Sequence, residues 1–254
     1  MIRVLVFVLA GWLVLLTACG GSNDDQTADA TPQPTPPWVG RQSELKGSLG
    51  EMVLTKEDLP TSLSWLEPAE DPPEALKPII APERDPLTMQ GLPWRPGSTA
   101  GPLAGSPSEA SAFVGRDGDV WLWSFVTLPA DLDTLSAARR AMVQAADLDV
   151  AQLRLDIWDS LTKEDLGLKP EDVRIGGARG LGDAHFAYGL SLENLEGEEQ
   201  YQVEGYAFTC GPVFAVLTVV SRPGTLAKDD GFYLALTFDA KIQQVLKAAG
   251  LLEA

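Results

Sequence analysis

Period-two and period-3.6 arrangements of apolar residues occupy separate stretches of this chain, and together they predict most of its architecture. Residues 111–116 and 119–128 flank an Asp117-Gly118 turn and read as a β-hairpin. In its second arm Trp121, Trp123 and Phe125 share one face while Val120, Leu122 and Val126 share the other. Both faces of that strand must therefore be covered. Two helices follow on apolar spacing: Leu135, Ala138, Met142 and Ala145 within residues 133–147, then Val150, Leu153, Ile157 and Leu161 within residues 149–161.

Residues 173–176 form a short strand pattern, and a longer one has Ala184, Phe186, Tyr188, Leu190 and Leu192 alternating with His185, Ala187, Gly189 and Ser191. An acidic turn over 193–199 leads back into Tyr201 and Val203. The alternation changes phase at Gly205, putting Tyr206, Phe208 and Cys210 in register, which predicts a bulge at that glycine. Gly211-Pro212 turns the chain into 213–220, nearly all apolar and hence a central strand. Ala235, Phe238, Ile242, Val245 and Ala249 predict a closing helix over 231–249, capped by Asp229 or Asp230 and ended by Gly250. The expected fold is α+β: an antiparallel β-sheet of five or six strands with helices packed on it.

The first hundred residues are different, for fifteen of the nineteen prolines precede residue 108. Residues 45–66 hold a short amphipathic segment with a Thr55-x-x-Asp58 helix-start signal stopped by Pro60. Residues 161–166 repeat residues 54–59, Leu-Thr-Lys-Glu-Asp-Leu, letter for letter. The expectation is one capping box used twice. Residues 67–107 contain ten prolines and little periodicity. They predict a long loop, after a disordered N-terminal tether, that folds back over the sheet and lines any binding site. Leaving Trp94, Leu92, Ile79 and Ile80 wet would cost about 25 cal/mol per Å² of apolar surface.

At the N-terminus Arg3 precedes a thirteen-residue apolar run, 4–16. That length suits a signal-peptide core and falls short of the roughly twenty residues of a membrane-spanning helix. The run ends in Leu16-Thr17-Ala18-Cys19-Gly20. Residues 20–37 have four prolines and no large apolar side chain, so they bury too little surface to offset the entropy of ordering. The resulting layout is a signal segment over 1–18, a Pro-rich tether over 19–40 and one α+β domain over 41–254.

Composition narrows the chemistry. Apolar residues make up 45% of the chain, and the formal charge of −17 makes nucleic acid a poor partner. The two cysteines are Cys19 and Cys210, and Cys210 ends an apolar strand, where a thiol serves as a small buried hydrophobe. His185 is the sole histidine and no Gly-x-Ser-x-Gly elbow accompanies it, which removes hydrolase triads that use histidine. Zinc sites built on thiolates and imidazoles lack ligands. Ser43-x-x-Lys46 and Ser160-x-x-Lys163 match part of the pattern of penicillin-recognising enzymes, but the Ser-Asp-Asn and Lys-Thr-Gly partners are missing. Gly176, Gly177, Gly180 and Gly182 lie between two strands, without the helix start that would hold a phosphate. No catalytic residue, metal or cofactor is expected; Trp94 and His185 are the candidate binding-surface residues.

Leu16-Thr17-Ala18-Cys19 resembles the lipobox of bacterial lipoproteins. That resemblance implies cleavage before Cys19, diacylglycerol on its thiol, and a domain held at the cell membrane on the extracytoplasmic side. Leu54-Thr55-x-x-Asp58-Leu59-Pro60, then Gly180-Leu181-Gly182-Asp183-Ala184 before a strand, a strand–Gly–strand hairpin and a closing helix resemble cell-envelope lipoproteins with PsbP-like or sensor-like α/β/α domains. The likeness covers residues 51–250 in outline. It implies a binding or accessory role toward a small ligand or an envelope protein, and it carries over no catalytic residues. Its sensor members bear disulfides, for which this chain offers Cys210 no partner. A carboxylate-dependent hydrolase and a structural envelope-assembly factor are the alternatives. A concave apolar pocket favours binding, two converging carboxylates favour hydrolysis, and a flat apolar patch favours assembly.

Overall fold

The computed structural model describes residues 37–73, 76, 103–163, 168–194 and 200–252. Its strands are β1 (Glu67–Ala69), β2 (Ser108–Val114), β3 (Val120–Thr127), β4 (Leu168–Gly176), β5 (Ala184–Asn194), β6 (Gln200–Cys210) and β7 (Val213–Ser221). Among the described residues the α-helices are two single turns, α1 (Gln42–Leu45) and α2 (Leu49–Met52), and three longer ones, α3 (Leu132–Ala146), α4 (Val150–Lys163) and α5 (Asp230–Ala248). All strand pairs are antiparallel and the order is β1-β2-β3-β7-β6-β5-β4. The α+β class stands, with seven strands instead of five or six. The extra one, β1, falls inside the segment 67–107 read as a loop; it pairs Glu67, Pro68 and Ala69 with Val114, Phe113 and Ala112.

The chain leaves the sheet centre after β3, runs through α3 and α4, and re-enters at the far edge as β4. It then meanders back through β5 and β6 to β7, which lies against β3. Every residue of β3 and β7 is buried, as two-sided hydrophobic patterning requires. Val120, Leu122 and Val126 face a core shared with α5 and the N-terminal segment from Trp38 to Leu66. Trp121, Trp123 and Phe125 face a second core under α3 and α4. Trp38 itself is buried. Packed structure therefore reaches back into the segment expected to be tether.

Local signals explain the element ends. Asp131 caps α3 by accepting from the Thr134 amide at 2.7 Å, and Asp149 accepts from the Ala151 and Gln152 amides at the start of α4. At the end of α5, Gly250 takes a φ of +66°. Its amide donates to the Lys247 carbonyl while the Leu251 amide donates to that of Leu246, the double closure that glycine permits. Asp229 occupies the cap position of α5 without a side-chain cap bond; Asp230 instead accepts from the Ala227 amide.

Three further expectations change. The repeated hexapeptide takes two fates: Thr55 and Asp58 form a capping box around a 3₁₀ turn, whereas Leu161, Thr162 and Lys163 end α4. There the Thr162 hydroxyl donates back to the Trp158 carbonyl at 2.9 Å, because an existing helix already occupies its amide. The short strand 173–176 is a nine-residue edge strand, with its register irregularity between Pro170 and Asp172. Gly205 is no bulge. β6 pairs without interruption on both sides, Gly205 opposing Tyr188 and Thr218. The apparent phase change arises because Tyr201, Val203 and Ala207 face one core while Tyr206, Phe208 and Cys210 face the other. Only the C-terminal half of this strand is covered on both sides.

Candidate functional site

Helix α5 packs on β6 and β7. Beside it, on the same sheet face, a groove of about 610 Å³ opens over β4, β5 and β6. Gly176, Ala187, Gly189 and Ser191 give it a floor of small side chains, and Leu226 and Lys228, from the segment preceding α5, form one wall. Register sets its polarity. Arg174 opposes Gly189, and Gly189 opposes Glu204. With strands about 4.8 Å apart, a cation and a carboxylate thus stand about 10 Å apart in backbone position with no side chain between them.

Glu204 is half-buried and accepts a hydrogen bond of 2.9 Å from the Tyr206 hydroxyl. Burial raises its carboxyl above the ordinary range, and Asp229 and Asp230 add to that, while the Tyr206 hydroxyl and Arg174 oppose it. Tyr206 is likewise pushed upward, by burial first and by the adjacent Glu204 second. Gly231, in the first turn of α5, leaves room for the carboxylate; a Cβ there would overlap Glu204 Oε2. Arg174 Nε also contacts Asp172 at 2.7 Å in an exposed pair, which solvent and salt weaken. Glu204 is the sole carboxylate lining the groove among the described residues. The arrangement, Arg174 and Lys228 against Glu204, suits binding through charges of both signs, since among the described residues a pair of acid and base carboxylates is not assembled there.

Cys19 and Trp94 lie outside the described residues. His185 is half-buried on β5, with its ring Nδ1 3.0 Å from the Leu181 carbonyl oxygen. It shares the face of the groove floor but ties down the 178–183 loop. Among the described residues no three His, Cys, Asp or Glu side chains gather as metal ligands, and no helix is long and apolar enough to cross a membrane. Arg174, Glu204, Tyr206 and Lys228 are absent from the sequence-based candidates. The alternation of Gln202, Glu204 and Tyr206 with Tyr201, Val203 and Gly205 is the signal that marks Glu204 and Tyr206, a polar face opening toward solvent on a long strand; it does not reach Arg174 or Lys228.

A second polar cluster is structural. Asp239, 3% exposed on α5, accepts from the Gly182 amide at 3.2 Å and from Gln243 at 2.9 Å, and its Oδ1 has no hydrogen-bond partner among the described residues. Nearby, Asp183 accepts from Arg139 and from the Gly211 amide, both at 2.9 Å. These bonds clamp the loop 180–183 to α3, α5 and the β6–β7 turn. Cys210 is a buried free thiol, pushed up to about 12 chiefly by burial and then by the Asp239 and Asp183 carboxylates. It is a poor nucleophile.

Burial also raises the Asp239 carboxyl, with Asp183 contributing and the Gly182 and Gln243 hydrogen bonds opposing. An acid raised in the folded state holds its proton more tightly folded than unfolded. Stability is then greatest below the ordinary carboxylate range, declines as pH climbs through it to the raised value, and is level above. Asp239→Asn should therefore raise Tm at pH 7, by about 2–4 °C for each kcal/mol of penalty removed. The gain should vanish on acidification. Thermal unfolding from pH 3 to 8 measures this, and a Tm that drops at pH 7 would show that the charged form stabilises the clamp.

No protein-family model matches the chain, and no curated protein matches its sequence. Among solved structures it is similar to the extracellular domain of PknH from Mycobacterium tuberculosis, with 12% identity and a TM-score of 0.45 over 78% of this chain and 96% of that one. It is also similar to PsbP (CyanoP) from Synechocystis sp. PCC 6803, with 12% identity and a TM-score of 0.24 over 52% of this chain and 71% of that one.

Proposed function

We propose that this protein is a lipid-anchored, extracytoplasmic binding or accessory module of the cell envelope, without catalytic activity. Its groove over β4–β6 holds a small ligand. The observation that carries the reading is the row Arg174–Gly189–Glu204, where opposite charges flank a bare floor. A ligand bearing a cationic and an anionic group fits this row, its cation toward Glu204 and Tyr206 and its anion toward Arg174 and Lys228. The Leu16–Cys19 motif supports the anchor, and the charge of −17 disfavours nucleic acid as a partner.

Two measurements test it. Zwitterionic, amine-only and carboxylate-only fragments screened by ligand-observed NMR should favour zwitterions. Glu204→Gln should weaken amine-bearing fragments about tenfold, the scale of one charge-assisted hydrogen bond. Because the Glu204 carboxyl is raised, their affinity should climb with pH just above the ordinary carboxylate range. Binding indifferent to Glu204→Gln and to Arg174→Ala removes the groove from the proposal. Separately, Cys19→Ser should either release the protein from the membrane fraction of its host or strand it there as uncut precursor. A variant still cut and retained there would refute the anchor.

A further inference from the structure

Six large apolar or aromatic side chains are exposed among the described residues: Leu132, Val143, Val150, Leu155, Trp158 and Tyr233. Three of them, Val150, Leu155 and Trp158, line a single concavity of about 750 Å³ between α4 and β4. Helix α4 carries two apolar stripes. Leu153, Ile157 and Leu161 are buried in the core beneath it. Ala151, Leu155 and Trp158, at the i, i+4, i+7 spacing, form the other, and Leu155 and Trp158 are 62% and 42% exposed. Such clustering marks a contact surface more than scattered apolar exposure does.

The groove adjoins a sheet edge, for β4 is the last strand in the order and its outer side pairs with no other strand among the described residues. One end of that edge is closed. Pro170 has no amide hydrogen, the register shifts beside it, and Arg154 Nε donates to its carbonyl at 3.1 Å. From Asp172 to Gly176 no such device is present among the described residues. The open backbone and the apolar groove lie side by side, with Asp172 and Val173 lining both.

We propose that this edge takes an extended segment of a partner protein by strand addition along Asp172–Gly176, with an apolar side chain of that segment seated against Leu155 and Trp158. Charge selects the partner. The chain carries a formal charge of −17, and Arg154, the cation lining the concavity, has its guanidinium engaged by the Pro170 carbonyl. The favoured segment is therefore β-branched and alternating, with flanking lysine or arginine. A second copy of this chain fits poorly, since two chains of formal charge −17 repel one another. This edge shares Arg174 and Gly176 of β4 with the Arg174–Glu204 groove, but the apolar concavity against α4 has a lining of its own.

The test is a phage-displayed library of short random peptides panned on the full chain and counter-selected on a Leu155→Ser/Trp158→Ser double variant. Both side chains are exposed, so the variant keeps its fold, which circular dichroism verifies. Enriched peptides should alternate apolar and polar residues and carry basic flanks. Synthetic versions should bind the double variant about tenfold more weakly or worse, the loss expected of a central aromatic anchor. Methylating alternate backbone amides of the peptide should cause a comparable loss, which side-chain burial alone would not. Three outcomes overturn the proposal: no enrichment over the double variant, enriched peptides with helical spacing, or a sedimenting dimer that the double variant dissolves.

Discussion

Gly182→Ala should be among the most destabilising single-methyl changes in the protein, at about 3–4 kcal/mol. Two costs combine at this position. Gly182 has a φ of +43°, where a side chain costs about 1–2 kcal/mol. A Cβ there would also overlap the Thr209 carbonyl oxygen and lie 3.3 Å from the Phe208 ring, and relieving such overpacking costs about 1–3 kcal/mol. The loop cannot simply move away. The Asp183 amide donates to that same carbonyl at 2.6 Å, and the Gly182 amide donates to Asp239. Gly180→Ala is the internal control: its φ is +92°, yet the nearest atom to an added Cβ is Leu236 Cδ2 at 3.9 Å. It should cost about 1 kcal/mol, the backbone part alone. Urea unfolding of both variants gives the comparison. Equal losses would mean that the close approach to Thr209 contributes nothing.

Gly205→Ala should cost about 2–3 kcal/mol through a different mechanism. Its backbone is ordinary extended strand, but a Cβ there would overlap the ring edge of Tyr188, its cross-strand partner, at Cε1 and Cζ. The aromatic ring covers the glycine and fills the space a side chain would take. The ring is itself buried in the core under α3 and α4, so it cannot swing aside freely. In a Tyr188→Leu background the same glycine substitution should be milder, with a coupling of about 1 kcal/mol or more between the two sites. Additive losses in that double-mutant cycle would mean that the glycine serves some need other than room for the ring.

These two glycines show where sequence reading stops. An isolated glycine in a strand pattern signals either a bulge or a close approach, and the choice depends on what the neighbouring strand places opposite it. Tyr188 stands seventeen positions away, so local alternation around Gly205 cannot register it. The repeated hexapeptide makes the same point. Identical residues start a 3₁₀ turn at Thr55 and end a helix at Thr162, because the second copy follows a helix already packed through Leu153, Ile157 and Leu161.

What the sequence determined by itself is the set of elements whose burial is written into their own periodicity. The two-sided strands β3 and β7, the stripes of α3 and α5, and the turns at Gly118 and Gly211 belong to this set, because each depends on residues close together in the chain. Tertiary structure decided the rest. Strand β1 has no pattern of its own and forms because β2 offers it an open backbone edge. The order that sends the chain from β3 to the far edge, and makes β4 the last strand among the described residues, follows from where α3 and α4 cover the second core. The Arg174–Gly189–Glu204 row joins residues fifteen positions apart, twice over, so its existence depends on strand register. Periodicity states which side of an element must be covered, and register and connectivity then determine which residues become neighbours.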